Sequence, residues 1–382
     1  MTVGIICEYN PLHMGHQKQM HKIREVFGPE TAIVCAMSGN FVQRGAPAIL
    51  DKACRAKAAV LSGADLVLEL PVTVSLSSAE GFAAGGVKIL GNLCDYLCFG
   101  AETADADALM AAAGAQLSPD FPPLLKCELE TGKSFPAARQ AALQQMGIDA
   151  SLLSQPNNIL AVEYCKAILS QNVHMDILPI HRPGSYHDTA PDTEDPSATA
   201  VRALVEARVP WLPYIPAPAQ ACFEKACVHT LRHGERFILG KLRTMTDEQF
   251  ASLPYGSEGL WRKLMHACRA ENTLDNILSA TKSKRYTRSR LDRMVMCAAL
   301  GITAEDVATP APYARVLAFN DRGREVLRTV KDTGLYPNIG HATHHPFETL
   351  EQRCSDLYGL FAESPEPPGA DARMRVFYHR QG

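Results

Sequence analysis

Val3-Gly4-Ile5-Ile6-Cys7-Glu8-Tyr9-Asn10-Pro11-Leu12-His13-Met14-Gly15-His16 is the stretch whose reading decides the fold. Residues 3–7 form a short, largely β-branched apolar run, the pattern of a buried strand. Residues 8–13 are a loop punctuated by Asn10-Pro11, and an amphipathic helix is predicted from about Gly15 to Phe27. Further along the chain the alternation repeats. Residues 31–37 read as a second strand, 38–48 as a long polar loop, and 51–62 as a helix with Asp51 at its N-cap. Residues 64–70, 95–100 and 175–180 supply three more strands, with helical patterns between them. Strands that alternate with helices build a parallel sheet with crossover helices, and such sheets bind ligands beyond the carboxyl ends of their strands. The expected fold class is therefore α/β, a Rossmann-like parallel sheet followed by a mainly helical C-terminal domain. A Pro-rich stretch over 209–218 marks the boundary, giving domains 1–210 and 211–382. Beyond it, residues 314–319 are the one candidate strand. The polar, Pro-punctuated segment 183–196 reads as a mobile loop.

The composition excludes several classes. No apolar run approaches the ~20 residues that span a bilayer, and the start of the chain lacks both the basic region and the apolar stretch of a signal peptide. A cytoplasmic protein without membrane contact is expected. The 12 cysteines include no C-x-x-C pair, so they read as free, buried thiols in a reducing compartment, and no metal site is assigned. His341, His344 and His345 cluster without partners at metal-ligand spacing and stay unassigned. Residues 1–210 carry 15 Lys+Arg against 22 Asp+Glu, whereas 211–382 carry 23 against 19. The second half is thus the one suited to a polyanion, though the excess is small. No protein partner is evident.

His13-Met14-Gly15-His16 carries the chemistry. It lies where the first strand gives way to the first helix, and a helix start offers unpaired N–H groups and a positive dipole end to phosphate. Gly15 lets a nucleotide approach the backbone. Two imidazoles three residues apart can both donate hydrogen bonds to phosphate oxygens. Transfer at phosphorus needs positioning and charge stabilisation, which histidines with Mg²⁺ supply without a covalent intermediate.

Gly4-Ile5-Ile6-x-Glu8-Tyr9-Asn10-Pro11-x-His13-x-Gly15-His16 resembles the HIGH-type nucleotidylyltransferase superfamily and, within it, the bacterial tRNA(Met) cytidine acetate ligases. The similarity continues through Met37-Ser38-Gly39-Asn40-Phe41-Val42-Gln43-Arg44-Gly45 and Ala64-Asp65-x-Val67-x-Glu69-Leu70-Pro71. It extends to Phe99-Gly100-Ala101-Glu102, Gln155-Pro156-Asn157-Asn158-Ile159-Leu160 and His181-Arg182. Cys7 and Met14 depart from the pattern at positions peripheral to phosphate. The resemblance covers essentially the whole chain, and it implies an ATP-dependent carbon–nitrogen ligase. ATP and acetate would form acetyl-adenylate, and the acetyl group would pass to N4 of the wobble cytidine of elongator tRNA(Met), giving N4-acetylcytidine.

The resemblance also implies roles. His13 and His16 are the catalytic pair. Cys7, Glu8, Tyr9, Asn10, Pro11, Leu12, His13, Met14, Gly15, His16, Gln17, Lys18, Gln19 and Met20 form the ATP segment, joined by Gly100, Asn158 and Arg182, with Asn157 a competitor for the role of Asn158. Ser197, Thr199 and Arg202 resemble the superfamily's second phosphate motif, which could equally be an ordinary Ser/Thr-capped helix. Lys282-Ser283-Lys284 is not read as that motif, because 197–202 is better placed after a strand. Asn40 and Arg44 are candidates for the acetate or cytidine pocket, or for a plain polar loop. Lys52 and Arg55 read as a solvated helix face. Lys282, Lys284, Arg285, Tyr286, Arg288, Arg290 and Arg293 put six cations and an aromatic within twelve residues, a pattern suited to tRNA phosphates and stacked bases. Two other readings stay open: a nucleotidylyltransferase of a small phosphorylated metabolite, and an RNA-binding protein with a degenerate site.

Overall fold

Apolar alternation along the early strands dictates a two-faced sheet. In the computed structural model, which describes residues 1–182, 196–283, 285–310, 313–330 and 346–380, nine strands are present: β1 (Thr2–Cys7), β2 (Ala32–Ser38), β3 (Phe41–Val42), β4 (Ala46–Pro47), β5 (Leu66–Leu70), β6 (Tyr96–Ala101), β7 (Asp176–His181), β8 (Arg315–Asn320) and β9 (Phe377–His379). Seven of them form one sheet in the order β7-β6-β1-β2-β5-β8-β9, and β3 and β4 make a small antiparallel hairpin. The five early strands pair in parallel, as expected from their helical crossovers. β8 runs antiparallel to β5, and β9 is parallel to β8.

Val3, Ile5 and Cys7 of β1 pack with Ile33, Cys35 and Met37 of β2 on one face, beneath Met20 and Ile23 of helix α1 (Met14–Phe27) and Ala56, Ala59 and Val60 of helix α2 (Lys52–Leu61). Ile6, Val34 and Ala36 point to the other face, against Phe82, Val87 and Leu90 of the helix Ala79–Leu90. Each such aliphatic side chain stabilises the fold by roughly 1.5–3 kcal/mol on full burial. A third core joins the helices Leu231–Thr244, Leu260–Ala270, Leu274–Thr281 and Arg288–Leu300, and it includes Phe41 and Val72 from the first half.

The part beyond residue 211 is mainly helical, and it also returns two strands to the sheet. Residues 314–319 form β8 almost as read, whereas β9 has no clear pattern in the sequence. Asp51 is the N-cap expected, its carboxylate accepting from Cys54 N–H at 2.8 Å. Lys52 and Arg55 are not on a solvated face: they are 3 % and 0 % exposed, because each meets a dense set of oxygen acceptors described below. No helix among the described residues is long and apolar enough to cross a membrane. The segment 183–195, Lys284 and the three clustered histidines lie outside the described residues.

Candidate active site

The strand order makes an opening. From β1 the chain steps to β2 and β5, then returns to the other side of β1 as β6. β1 stays paired with β2 to Cys7/Met37, yet its register with β6 ends at Gly4/Leu97. The carboxyl halves of β1 and β6 therefore part at the topological switch point, where open α/β sheets take their ligands.

His13 stands at this crevice as the N-cap of α1. Its backbone N–H donates to His16 Nδ1 at 3.2 Å, and the two rings stack with centroids 3.7 Å apart. Tyr9 meets the His16 ring edge-on at 4.9 Å. His13 is 1 % exposed, and neither of its ring nitrogens has a hydrogen-bond partner among the described residues. A buried polar group left unpaired costs about 1–3 kcal/mol, so this imidazole is held ready for something absent from the protein itself. Burial lowers its pKa to about 3, helped by the nearby guanidinium groups of Arg182 and Arg202. Burial, His13 and Arg182 push His16 well below the usual histidine range too. Both rings are neutral at pH 7 and donate one hydrogen bond each.

The surrounding residues converge from four segments. Arg202, from the helix Ala198–Glu206, donates to Asn10 O at 2.7 Å and to Thr199 Oγ1 at 3.0 Å. Ser197 caps that helix, accepting from Ala200 N–H. The structure thus brings the second phosphate motif against the loop of the first. Gly100, the penultimate residue of β6, faces Arg182; a Cβ there would meet only the Arg182 side chain at 3.6–3.8 Å among the described residues, so packing alone does not require glycine. Asn158 is buried, with its amide spent on Thr103, while the N–H groups of Asn157 and Asn158 donate to Glu102. Its position supports the turn after β6 rather than exposing the amide. Within the segment 7–20, Cys7, Tyr9, Leu12 and Met20 belong to the core, and Gln17 and Gln19 reach to Ser62 and Cys98. Only a backbone contact to nucleotide is open to the buried ones.

The loop after β2 is held chiefly by Arg55, which reads in the sequence as part of a solvated helix face, and by Glu8 and Asn40. Arg55 donates to Leu50 O at 2.8 Å, Glu8 O at 2.5 Å and Ser38 O at 3.1 Å, and also to Gly39 O. Glu8 accepts from Gln43 N–H at 2.7 Å. Burial raises the Glu8 pKa, opposed by that bond and by Arg202, Arg44 and Arg55. Asn40 donates to Ser355 Oγ at 2.9 Å and accepts from Lys52 N–H at 2.9 Å, so its amide is tied into the fold rather than into an acetate pocket. Arg44 is exposed beside Glu8 and Asp292.

The basic stretch divides in two. Arg285 and Arg288 are exposed and paired with Glu258, Asp275 and Asp292. Arg290 covers the Tyr286 ring at 4.9 Å while bonded to Tyr255 O and Ser257. Arg293 turns inward, contrary to its grouping with the RNA-facing cations: it is buried and donates to Gln43 O at 3.3 Å. Helical spacing is the cause, since five residues beyond Arg288 the chain faces the opposite side of the helix. The Lys282 carbonyl accepts from Lys263 Nζ.

A strand–loop–helix unit that presents paired imidazoles and two arginines at the switch point of a parallel sheet defines a nucleotide-handling transferase. The chain belongs to the HIGH Nucleotidyl Transferase family, whose model matches residues 1–371, and within it to the tRNA(Met) cytidine acetate ligases. It is 33 % identical to the tRNA(Met) cytidine acetate ligase of Clostridium acetobutylicum over 95 % of this chain and 96 % of that one. It is 36 % identical to that of Clostridium novyi, over 87 % and 88 %. Apo Thermotoga maritima TmcAL superposes with a TM-score of 0.91 at 27 % identity, and TmcAL bound with alpha-thio ATP with 0.87 at 26 %, each over all of both chains.

Proposed function

We propose that this chain is an ATP-dependent ligase that activates acetate as acetyl-adenylate and acetylates N4 of the wobble cytidine of elongator tRNA(Met) in the cytoplasm. The observation that carries the reading is His13, buried beside Arg182 and Arg202 with both ring nitrogens unpartnered. Neutral imidazoles that donate to the oxygens of a pentacoordinate phosphorus, flanked by guanidinium groups, stabilise charge without competing as nucleophiles. An acetate oxygen attacks the α-phosphorus, the bond to pyrophosphate breaks, and acetyl-adenylate results. The N4 amine then attacks the acetyl carbon, the bond to AMP breaks, and the amine loses a proton. This activation is needed because the lone pair of the exocyclic amine is delocalised into the ring, which makes it a poor nucleophile.

The cradle is cationic, and Glu8, the carboxylate beside it, is engaged by Gln43. Mg²⁺ would enter here with ATP rather than on a protein ligand set, and would supply neutralisation of phosphate charge. His13, His16, Arg182 and Arg202 then orient the nucleotide, while the turn braced by Asn158 shapes the side near Gly100. Arg285, Arg288 and Arg290 form the tRNA-facing surface, and Arg44 borders both regions.

Pyrophosphate release that depends on acetate, followed by mass spectrometry of tRNA(Met) nucleosides after incubation with labelled acetate, tests this reading. Label in N4-acetylcytidine is expected. A metabolite nucleotidylyltransferase would release pyrophosphate without regard to acetate, and a binding protein would release none.

A further inference from the structure

Away from the phosphate cradle, three potential ligands from distant parts of the sequence meet. Cys227 and His229 lie in the connection just before the helix Leu231–Thr244, and Glu366 follows the short helical turn Gly359–Phe361. One ligand atom from each residue lies within 4.8 Å of the other two. Cys227 is exposed and His229 is 2 % exposed, so the group has both an entrance and a fixed floor.

The hydrogen bonding of His229 is the telling feature. Its Nδ1 lies 3.2 Å from the Cys227 carbonyl oxygen. A carbonyl only accepts, so that nitrogen carries the proton. Nε2 then presents its lone pair to Glu366 Oε2 at 3.0 Å, and an ionised carboxylate is also only an acceptor. Two acceptors at that distance need a cation or a proton between them. Metal-bound histidines commonly donate their other ring N–H to a backbone carbonyl, which fixes both tautomer and ring direction. Here that bond is already made. The ring is pinned further by Tyr358, stacked on it at 3.9 Å between centroids.

From this geometry we infer that Cys227, His229 and Glu366 bind one divalent ion of the zinc class. A thiolate, an imidazole and a carboxylate suit this borderline-soft ion, with water as the fourth ligand on the exposed side. Thiolate and carboxylate together neutralise its charge. The ion would be structural, since it joins the inter-region connection to the segment after residue 361. His229 N–H donates to Ile49 O at 2.9 Å, and Tyr358 Oη donates to Ala48 O at 2.8 Å, so the same staple steadies the end of the loop after β2. Reading the cysteines as free buried thiols passes over it, because C-x-H is a weak signal and Glu366 lies 137 positions from His229.

Tag-free protein stripped with a chelator, then titrated with Zn²⁺ against a chromogenic chelator, tests the inference. Co²⁺ titration read by absorbance adds a spectroscopic signature. One equivalent of Zn²⁺ is expected, and Co²⁺ should give a thiolate-to-metal charge-transfer band. Cys227→Ser, at an exposed position, should abolish that band. Cys227→Ser and Glu366→Gln should each weaken Zn²⁺ binding by more than the roughly 10–100-fold that loss of an outer-shell partner costs. Wild-type protein that takes up no Zn²⁺ overturns the inference, as does uptake that neither substitution alters. In either case Nε2 and Glu366 share a proton as a simple ion pair.

Discussion

Two polar clusters are buried at the same edge of the sheet, and they are built on opposite principles. At the carboxyl end of β1, His13 and His16 are surrounded by arginines, and His13 has no partner for either ring nitrogen. At the carboxyl end of β5, Lys52 lies 2.7 Å from Glu69 and 2.5 Å from Asp371, and Arg315 lies 2.6 Å from Glu69 and 2.5 Å from Asp371. The second cluster is closed, with Lys52 and Arg315 each paired to both Glu69 and Asp371. It joins α2 and β5 to β8 and the C-terminal segment, and it fixes the fold. The first is open at His13, whose ring nitrogens have no partner among the described residues, and a polyphosphate oxygen would accept from its ring N–H. Burial of charge alone therefore does not mark a site; the histidine pair is set apart by its place at the switch point of the sheet.

The closed cluster is where substitution should cost most stability. Lys52→Met leaves Glu69 and Asp371 with one cation between them in a dry interior. Removing one partner of a buried ion pair typically costs about 3–5 kcal/mol, and urea denaturation should show a loss of that size. A variant as stable as wild type would mean that water reaches the cluster and that the contrast is false.

The open cluster should respond in the opposite currency. His16→Ala is expected to lower acetate-dependent pyrophosphate release by roughly 10²–10³-fold, the loss typical of one transition-state donor. Its urea midpoint should stay near wild type, because among the described residues the His16 side chain makes one hydrogen bond, to the His13 N–H. Equal losses of stability and activity would erase the distinction between the two clusters.

Glu351 tests the charge count of the closed cluster. It is a third carboxylate beside two matched cations, accepting from Val72 N–H at 2.5 Å. Burial and then Glu69 raise its pKa to about 7. A carboxylate whose pKa is raised in the folded state costs nothing below its unfolded value of about 4.5, costs stability progressively as pH rises from there to about 7, and carries the full cost above. Glu351→Gln keeps the acceptor and removes the surplus charge. It should match wild type near pH 4.5 and exceed it by on the order of 1–3 kcal/mol at pH 8. A gain independent of pH would place the effect in packing instead.

The open cluster was legible in the sequence and the closed one was not, for a physical reason. His13, Gly15 and His16 are adjacent along the chain, at a strand–helix junction that local apolar patterning reveals. Lys52, Glu69, Arg315 and Asp371 come together only through the β5–β8 pairing, and the burial of two cations on α2 runs against every local expectation for Lys and Arg. The same limit explains β9 and the brace that Arg55 provides to the loop after β2. For Asn158, expected among the nucleotide contacts, the sequence does not tell that its amide is turned to Thr103.

The smallest effect belongs to the surface that neither cluster includes. Arg288 and Arg293 sit on one helix, yet the first is exposed with Asp275 and Asp292 as partners while the second is buried against Gln43. If tRNA phosphates meet this helix, they displace Asp275 and Asp292 from Arg288, so part of the binding energy goes to breaking exposed ion pairs worth about 0.2–1 kcal/mol each. Arg288→Ala should therefore weaken tRNA binding only modestly and reduce the salt-dependence slope by about one, leaving acetyl-adenylate formation unchanged. Arg293→Ala should act differently, because it releases the Gln43 peptide whose N–H holds Glu8. Loss of adenylate formation is expected there, with the salt slope retained. Titrations of tRNA at several salt concentrations, set beside pyrophosphate release for both variants, read the two effects apart. A slope that falls for Arg293→Ala and not for Arg288→Ala would reverse which side of this helix faces the RNA.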